Sequence, residues 1–355
     1  MGAIKILCLS GSKNDMGMEY GTCLKDELQT SFDILEKFFI VKHNIAYSCL
    51  LKKAEEFYNR FPTEYQEFIK AVAIGSGLPL GKIKILNAME VIRCFLGDAE
   101  SIAACSFINI PGEKTLSKSN IVGRNYDYAG EAYSLIAKNL IVTILKEINK
   151  VPVAFISMPG QIYAPTGINT NSLFLELNNA FSSGGFEVNT ENQSLLINLL
   201  IALQNSKNFS ELDNQLINLH SDFSLVVNAV DQHNVKSYEY SSFRGMKTYL
   251  PEKDISFAST NFYLNRDWGI KKPRDEDTWL GVSRRNNLMF QTEGDNYTAK
   301  DLMDMLDINL ADGGAKLDYT IYQIVFETKT QSLYIKRTRE DKEWTYINLH
   351  KLFQG

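Results

Sequence analysis

The chain has 355 residues, of which 45% are hydrophobic, so it can bury a sizeable core within one large domain. Its 37 Lys and Arg against 42 Asp and Glu give a net charge of −5 without a dense basic block, which argues against a nucleic-acid partner. The apolar run 195–203 is well short of the roughly 18 residues that a membrane span needs, so no membrane span is predicted. The first residues show no signal-peptide pattern, and the expected location is cytoplasmic, or exported if a signal peptide has been removed.

Residues 18–104 are predicted to be mostly helical. Within 55–77, aromatic residues recur every three to four positions, at Phe57, Phe61, Tyr65 and Phe68. This spacing predicts a helix, and Gly75-Ser76-Gly77 predicts its end. The glycines of 75–82 resemble a phosphate-binding loop, but the spacing is one residue too long and Ile83 replaces the expected Ser or Thr.

The pattern changes at Cys105, where a β-rich part begins. Strands are predicted at 105–110, 120–128, 151–158, 172–178, 223–230 and 235–241, with a hairpin over 320–337 around Lys329-Thr330. Helices are predicted within 191–219 and 298–310. Strands that bracket a pair of helices indicate a layered α+β sandwich.

The five cysteines are scattered, at Cys8, Cys23, Cys49, Cys94 and Cys105, without a C-x-x-C pair. This distribution argues against a disulfide framework and a zinc site, and the first four are predicted to be buried small hydrophobic residues. The four histidines show no short metal-ligand spacing, so neither a metal nor another cofactor is predicted.

Cys105 has neighbours that suggest chemistry. If the Ala104–Cys105 bond were cut, the new α-amino group, with a pKa of roughly 7.7 to 8, could serve as a general base on the nucleophile's own residue. A thiolate needs a nearby positive charge and the amine needs an acceptor. Arg124 and Asp127 supply one of each if 105–110 and 120–128 pair as a hairpin. An ordinary Arg124–Asp127 ion pair, or a papain-like pairing of Cys105 with His220 or His233, remains an alternative at this point.

A cysteine that opens a strand and is followed by Gly-Arg-Asn-aromatic-Asp resembles the cysteine N-terminal nucleophile (Ntn) hydrolases. This group includes choloylglycine hydrolases, penicillin V acylases, acid ceramidase-like amidases and acyl-coenzyme A:6-aminopenicillanic acid acyltransferases. The resemblance extends over nearly the whole chain in the same order, through 9–28, 69–92, 167–179, 259–265, 282–288 and 320–337.

The resemblance implies a four-layer αββα sandwich, with 1–104 as a helical pro-segment or small subunit and 105–355 as the catalytic part. Cys105 would be nucleophile and base, exposed by self-cleavage after Ala104. Asp127 would hold the α-amine, and Arg124 would stabilise the thiolate and the substrate end of the site.

The resemblance also assigns an oxyanion hole. The side-chain NH₂ of Asn261 would be one donor, and a backbone N–H at Asn178 or Asn179 the other. Arg284 aligns with the family's late catalytic arginine, and the adjacent Arg285 cannot be separated from it by sequence. The chain departs from the acyltransferase branch at Phe262, where His is frequent, and at Ala104, where that branch has Gly.

The expected reaction is attack of Cys105 on an amide carbonyl of a small-molecule N-acyl substrate, giving a thioester that water or another amine resolves. An apolar acyl chain is expected between aromatic side chains, at Phe107, Tyr126, Tyr128 and Phe262, unless these pack the sheet core. The alternative from a different class is an uncleaved, non-catalytic protein whose cleft binds a ligand or partner. Homo-oligomerisation is left open.

Overall fold

The computed structural model describes residues 3–92, 105–269 and 276–355, without the side chains of 276–278. Cys94 and Ala104, and with Ala104 the predicted cleavage bond, lie outside the described residues. The strands are β1 Lys5–Gly11, β2 Cys105–Ile110, β3 Ile121–Asp127, β4 Ile141–Glu147, β5 Val153–Ser157, β6 Thr166–Asn169, β7 Phe174–Asn179, β8 Leu225–Val230, β9 Val235–Ser241, β10 Gly245–Tyr249, β11 Phe257–Ser259, β12 Thr320–Glu327, β13 Ser332–Arg337 and β14 Thr345–Asn348.

The described α-helices are α1 Lys13–Cys23, α2 Lys25–Glu36, α3 Tyr47–Tyr58, α4 Thr63–Ser76, α5 Leu80–Asn87, α6 Glu131–Ile136, α7 Phe181–Gly184, α8 Leu195–Gln204, α9 Phe209–Leu216, α10 Glu276–Gln291, α11 Ala299–Leu306 and α12 Leu349–Gln354. A π-helical turn, Lys37–Lys42, continues α2. None of the described helices combines the length and the apolar composition that crossing a membrane would require.

Two sheets form the centre of the molecule. The larger has the strand order β1-β4-β5-β6-β7-β8-β9-β10, and the smaller has the order β11-β2-β3-β12-β13-β14. The strand β1 pairs with β4 in parallel, from Lys5 beside Ile141 to Gly11 beside Glu147. The hairpin predicted between β2 and β3 is present, with Cys105 opposite Tyr126.

Helices cover the outer faces of both sheets. On the larger sheet, α8 packs against β5 and β6, and Tyr65 of α4 donates a hydrogen bond to Gln204 of α8. On the smaller sheet, α10 packs against β2 and β11, and α11 packs against β3 and β12. The predicted four-layer αββα sandwich is therefore confirmed.

The two sheets meet through aromatic side chains on their inner faces. The ring of Phe174, on β7, stacks between those of Phe107 on β2 and Phe326 on β12, at centroid distances of 6.3 and 6.0 Å. All three side chains are fully buried. Phe107 therefore packs the sheet core, and the expectation that it lines a substrate pocket is wrong.

The helix predicted through the aromatic repeat is two helices. The α3 helix ends at Tyr58 and α4 begins only after Pro62, its N-cap residue, because proline lacks the N–H that a helix interior needs. The predicted end is correct: Gly77 terminates α4 with a φ of +70°, a conformation that glycine adopts without strain.

Glycines allow α1 and α4 to approach closely. A Cβ added at Gly17, Gly21 or Gly75 would collide with the main chain of the facing helix. Because these positions carry no side chain, the two helix backbones can lie in direct contact. This packing gives a physical reason for the glycines of the 9–28 and 69–92 segments.

The cysteine prediction is wrong for the N-terminal part of the chain. Cys8, Cys23 and Cys49 are exposed rather than buried, whereas Cys105 is buried. Cys8 lies on the β1 strand with its side chain on the solvent side, where the alternation of the strand places it opposite buried Leu7 and Leu9.

Candidate active site

Cys105 is the first residue of β2, on the face that is turned toward the larger sheet. Its side chain is 2% exposed. The sulfur accepts a hydrogen bond from the Nη2 of Arg124 at 3.6 Å and another from the backbone N–H of Asp127. The backbone nitrogen of Cys105 donates to the Oδ1 of Asn261 at 2.9 Å. Two predicted site residues thus contact the cysteine from the paired strand, and a third contacts it from a distant part of the chain.

Arg124 bridges the two sheets at this point. Its Nη1 donates to the carbonyl of Pro165 at 2.6 Å, and its Nη2 donates to the carbonyl of Leu177 as well as to Cys105. Its Nε lies 3.1 Å from the Oε2 of Glu176. The guanidinium is fully buried, and these contacts fix its plane beside the sulfur.

Glu176 is a site residue that the sequence analysis missed. It lies in β7, fully buried, and it accepts hydrogen bonds from Asn228 and from the side-chain amide of Asn178. Burial raises the pKa of Glu176 to about 7, although Arg124 and Asn228 oppose the rise. A glutamate between Leu175 and Leu177 was the available signal, because a charged side chain inside an apolar strand needs a buried partner.

Asp127 and Arg284 form a second buried ion pair, on the helix-facing side of the smaller sheet. The Nη2 of Arg284 and the hydroxyl of Thr320 donate to the Asp127 carboxylate. The Nη1 of Arg284 also donates to the carbonyl of Cys105 at 3.4 Å. An ordinary ion pair between Arg124 and Asp127 is therefore excluded, since each has another buried partner. Thr320 is a second residue that the sequence analysis missed.

The structure separates the two adjacent arginines of α10. Arg284 is fully buried and reaches Asp127 and Cys105. Arg285 is partly exposed, and its Nε donates to the carbonyl of Ala258 at 2.9 Å. Of the two, Arg284 is the one that contacts the cysteine.

Asn261 connects the cysteine to the end of β7. Its Nδ2 donates to the carbonyl of Asn179 at 3.0 Å, while its Oδ1 accepts from Cys105. Successive N–H groups of a strand point to opposite edges. In β7, the N–H of Leu177 donates to Pro165 on the β6 side, and the N–H of Ala180 donates to Ser224 on the β8 side. By alternation, the N–H of Asn178 points to the β8 side. The N–H of Asn179 therefore points to the β6 side, toward Asn261.

The other three predicted aromatic residues have different surroundings, and one of them, Tyr126, packs against Arg124. The Tyr126 ring stacks on Tyr322 at 4.5 Å and lies 4.9 Å from the Arg124 guanidinium. The Tyr128 hydroxyl donates to the carbonyl of Glu90. Phe262 lines a separate cavity together with Arg285.

Burial controls the protonation state of the cysteine. It raises the pKa of the Cys105 thiol to about 11, and the positive charge of Arg124 offsets only part of this effect. In this arrangement the thiol is protonated at neutral pH. The charge of Arg124 acts to lower the pKa of the thiol, but desolvation outweighs it.

The papain-like alternative does not fit the structure. His220 and His233 are both exposed, whereas Cys105 is buried. His233 lies two residues after Asp231, whose carbonyl accepts a hydrogen bond from the side chain of Asn120 at 2.9 Å. Asn120 precedes β3 at the loop end of the hairpin, and Cys105 lies at the opposite end.

No protein-family model matches the sequence, and neither does the sequence of any curated protein. Solved structures do match in fold. A Caenorhabditis elegans N-acylethanolamine-hydrolyzing acid amidase ortholog is 14% identical over 62% of this chain and 92% of its own, with a TM-score of 0.50.

Two bacterial structures are also similar. A conjugated bile acid hydrolase from Clostridium perfringens is 12% identical over 70% of this chain and 93% of its own, with a TM-score of 0.46. A penicillin V acylase from Agrobacterium tumefaciens is 9% identical over 70% of this chain and 86% of its own, with a TM-score of 0.47. The comparison of folds rests on the amidase ortholog, and it confirms the resemblance at the level of the fold. The chain thus shares its αββα sandwich fold with the amidase ortholog.

Proposed function

We propose that the chain is an amide hydrolase or acyltransferase that acts through Cys105 on small N-acyl substrates and is activated by self-cleavage at Ala104–Cys105. The observation that carries this proposal is the position of Cys105. It opens a central strand, its sulfur lies 3.6 Å from Arg124, and its nitrogen lies 2.9 Å from Asn261. The fold supports the same chemistry, because the amidase ortholog hydrolyses N-acylethanolamines.

The Cys105 nitrogen supplies the base in this proposal. Once the preceding bond is cut, it becomes an α-amine with a pKa of roughly 7.7 to 8, suited to proton transfer near neutral pH. The Oδ1 of Asn261 lies within hydrogen-bond distance of this nitrogen and can accept from the amine. We assign Asp127, which Arg284 and Thr320 hold in place, to orient the amine. The amine takes the thiol proton, and Arg124 stabilises the resulting thiolate.

The reaction then proceeds in two steps. The thiolate attacks the substrate carbonyl, the C–N bond breaks, and the leaving amine takes the proton from the Cys105 ammonium. Water or a second amine next attacks the thioester carbonyl and releases the acyl group, which regenerates the thiol. No cofactor is required for either step.

The oxyanion of each tetrahedral intermediate needs two donors. We assign the side-chain NH₂ of Asn261 as one donor. For the second we choose the N–H of Asn179 over that of Asn178, because alternation along β7 directs it to the edge where Asn261 lies. Such donors are aimed where charge develops and act strongly in a site shielded from water.

A second candidate function is an uncleaved, non-catalytic protein whose cleft binds a ligand. The observation that favours it is the deep burial of Cys105 together with its raised pKa of about 11, which keeps the thiol unreactive at neutral pH. The two candidates differ in whether the chain is cut before Cys105.

Self-cleavage is tested by the mass of the denatured protein. We expect the wild-type chain to split into two fragments that meet at Cys105, and the Cys105→Ala variant to stay at full length, because the variant lacks the attacking sulfur. A wild-type chain that stays intact after long incubation yet hydrolyses N-acyl amides would refute the mechanism. A chain that neither splits nor hydrolyses any N-acyl amide would favour the binding protein.

A further inference from the structure

A cavity of about 810 Å³ is lined by residues from the two segments that carry Asn261 and Arg284. Two of its lining residues are chain neighbours of site residues: Phe262 follows Asn261, and Arg285 follows Arg284. Adjacent Cα atoms are 3.8 Å apart. Asn261 contacts the backbone nitrogen of Cys105 and Arg284 contacts its carbonyl, so the segments that line the cavity also hold the main chain of the proposed nucleophile.

The polar lining of this cavity is positively charged. Its described lining includes Arg266 and Arg285 and no acidic residue. The remaining polar lining residues carry neutral groups, at Ser183, Thr248, Tyr249, Tyr263, Asn265 and Asn286. An anionic group that entered the cavity would meet cations and neutral hydrogen-bonding groups.

Arg285 differs from the other shielded arginines among the described residues. Arg60, Arg124, Arg284 and Arg337 each form an ion pair with a carboxylate. Arg285 forms none among the described residues, where its one hydrogen bond is from Nε to the carbonyl of Ala258. Burial lowers the pKa of Arg285, because desolvation disfavours the charged guanidinium, and a bound anion would oppose this effect. The terminal nitrogens of its guanidinium can receive a carboxylate in bidentate geometry.

The cavity also offers apolar contact. Phe262 and Tyr263 are mostly buried in its wall, and Leu250 and Val282 complete an apolar side. A ligand that fits has a carboxylate joined to a small apolar or polar body. An amino acid has these properties, and as a leaving group it lies next to the scissile bond.

We propose that this cavity binds the leaving-group side of the substrate, that Arg285 recognises its carboxylate, and that the substrates are therefore N-acyl amino acids rather than neutral N-acyl amino alcohols. This inference rests on the proposed amide hydrolysis. It makes Arg285 a specificity-determining residue and leaves the chemistry at Cys105 unchanged.

The test measures binding as well as turnover. N-Decanoylglycine and N-decanoylethanolamine differ in the leaving group by a carboxylate in place of a hydroxymethyl group. Calorimetry with the Asn261→Ala variant, which keeps the sulfur for self-cleavage and turns over slowly, should give a dissociation constant on the order of 10- to 100-fold lower for the glycine conjugate, as expected for charge-assisted hydrogen bonds. Adding Arg285→Gln should abolish this preference, and Arg285→Lys should restore part of it. Arg339→Gln is the matched control, because Arg339 is exposed and lies outside the cavity lining.

The outcomes separate this inference from the proposed function. Two results would overturn the inference: equal affinity for the two probes, or a preference for the glycine conjugate that survives Arg285→Gln in a folded variant. Both would do so whether or not the wild type hydrolyses either probe. A preference that depends on Arg285 supports the inference even where the wild type hydrolyses neither probe. That last result would count against the proposed hydrolysis alone.

Discussion

The raised pKa of Cys105 predicts that alkylation of this thiol is slow in the intact chain. Thiolates, not thiols, react with iodoacetamide. The rise from 9.0 to about 11 lowers the thiolate fraction about 100-fold at pH 8. The 2% exposure of the side chain slows access further. Cys105 should therefore be labelled at least about 100-fold more slowly than an exposed cysteine of ordinary pKa.

The chain contains its own controls for this experiment. Cys8, Cys23 and Cys49 are exposed and report ordinary labelling in the same sample. Peptide mass spectrometry on the intact full-length fraction gives each rate between pH 7 and 10. We expect the Cys105 rate to rise about tenfold for each pH unit over this whole range, because its pKa lies above it. The argument from burial would be refuted if Cys105 were labelled as fast as Cys8 at pH 8 and its labelling rate reached a plateau below pH 10.

Two further substitutions test the oxyanion hole and the helix packing. Asn261→Ala should lower kcat/KM of cleaved protein by on the order of 100- to 1000-fold with little loss of folding stability, and near wild-type turnover would remove Asn261 from the site. Gly21→Ala should lower the free energy of unfolding in urea by about 1 to 3 kcal/mol, because its Cβ would meet the carbonyl of Val72. Glu19→Ala, on the exposed side of the same helix, is the matched control, and an equal effect of the two would contradict the close approach.

The sequence predicts the part of the site that lies on one hairpin. The β2 strand matches its predicted bounds, and β3 differs from its prediction by one residue at each end. The alternation within 105–110 and the polar loop after it are local properties, so they are readable without the fold. Gly123 in the same motif has a reason that only the fold shows, since a Cβ there would press on Leu302 and Leu306 of α11.

Contacts between distant segments are not readable in this way. Glu176 and Thr320 act on Arg124 and Asp127 from other strands, and nothing in the neighbouring residues identifies their partners. Consecutive residues of a helix point about 100° apart, so the sequence could not decide which arginine of α10 faces the sheet. The β1 strand was missed because its pairing partner, β4, lies more than 100 residues away.

The pairing of β1 with β4 has a consequence for the purified protein. Seven residue pairs of the parallel ladder join residues before Cys105 to residues after it. A cut before Cys105 removes one covalent link and breaks none of these hydrogen bonds. The two polypeptides should consequently elute together from a sizing column as one heterodimer and should separate only in denaturant.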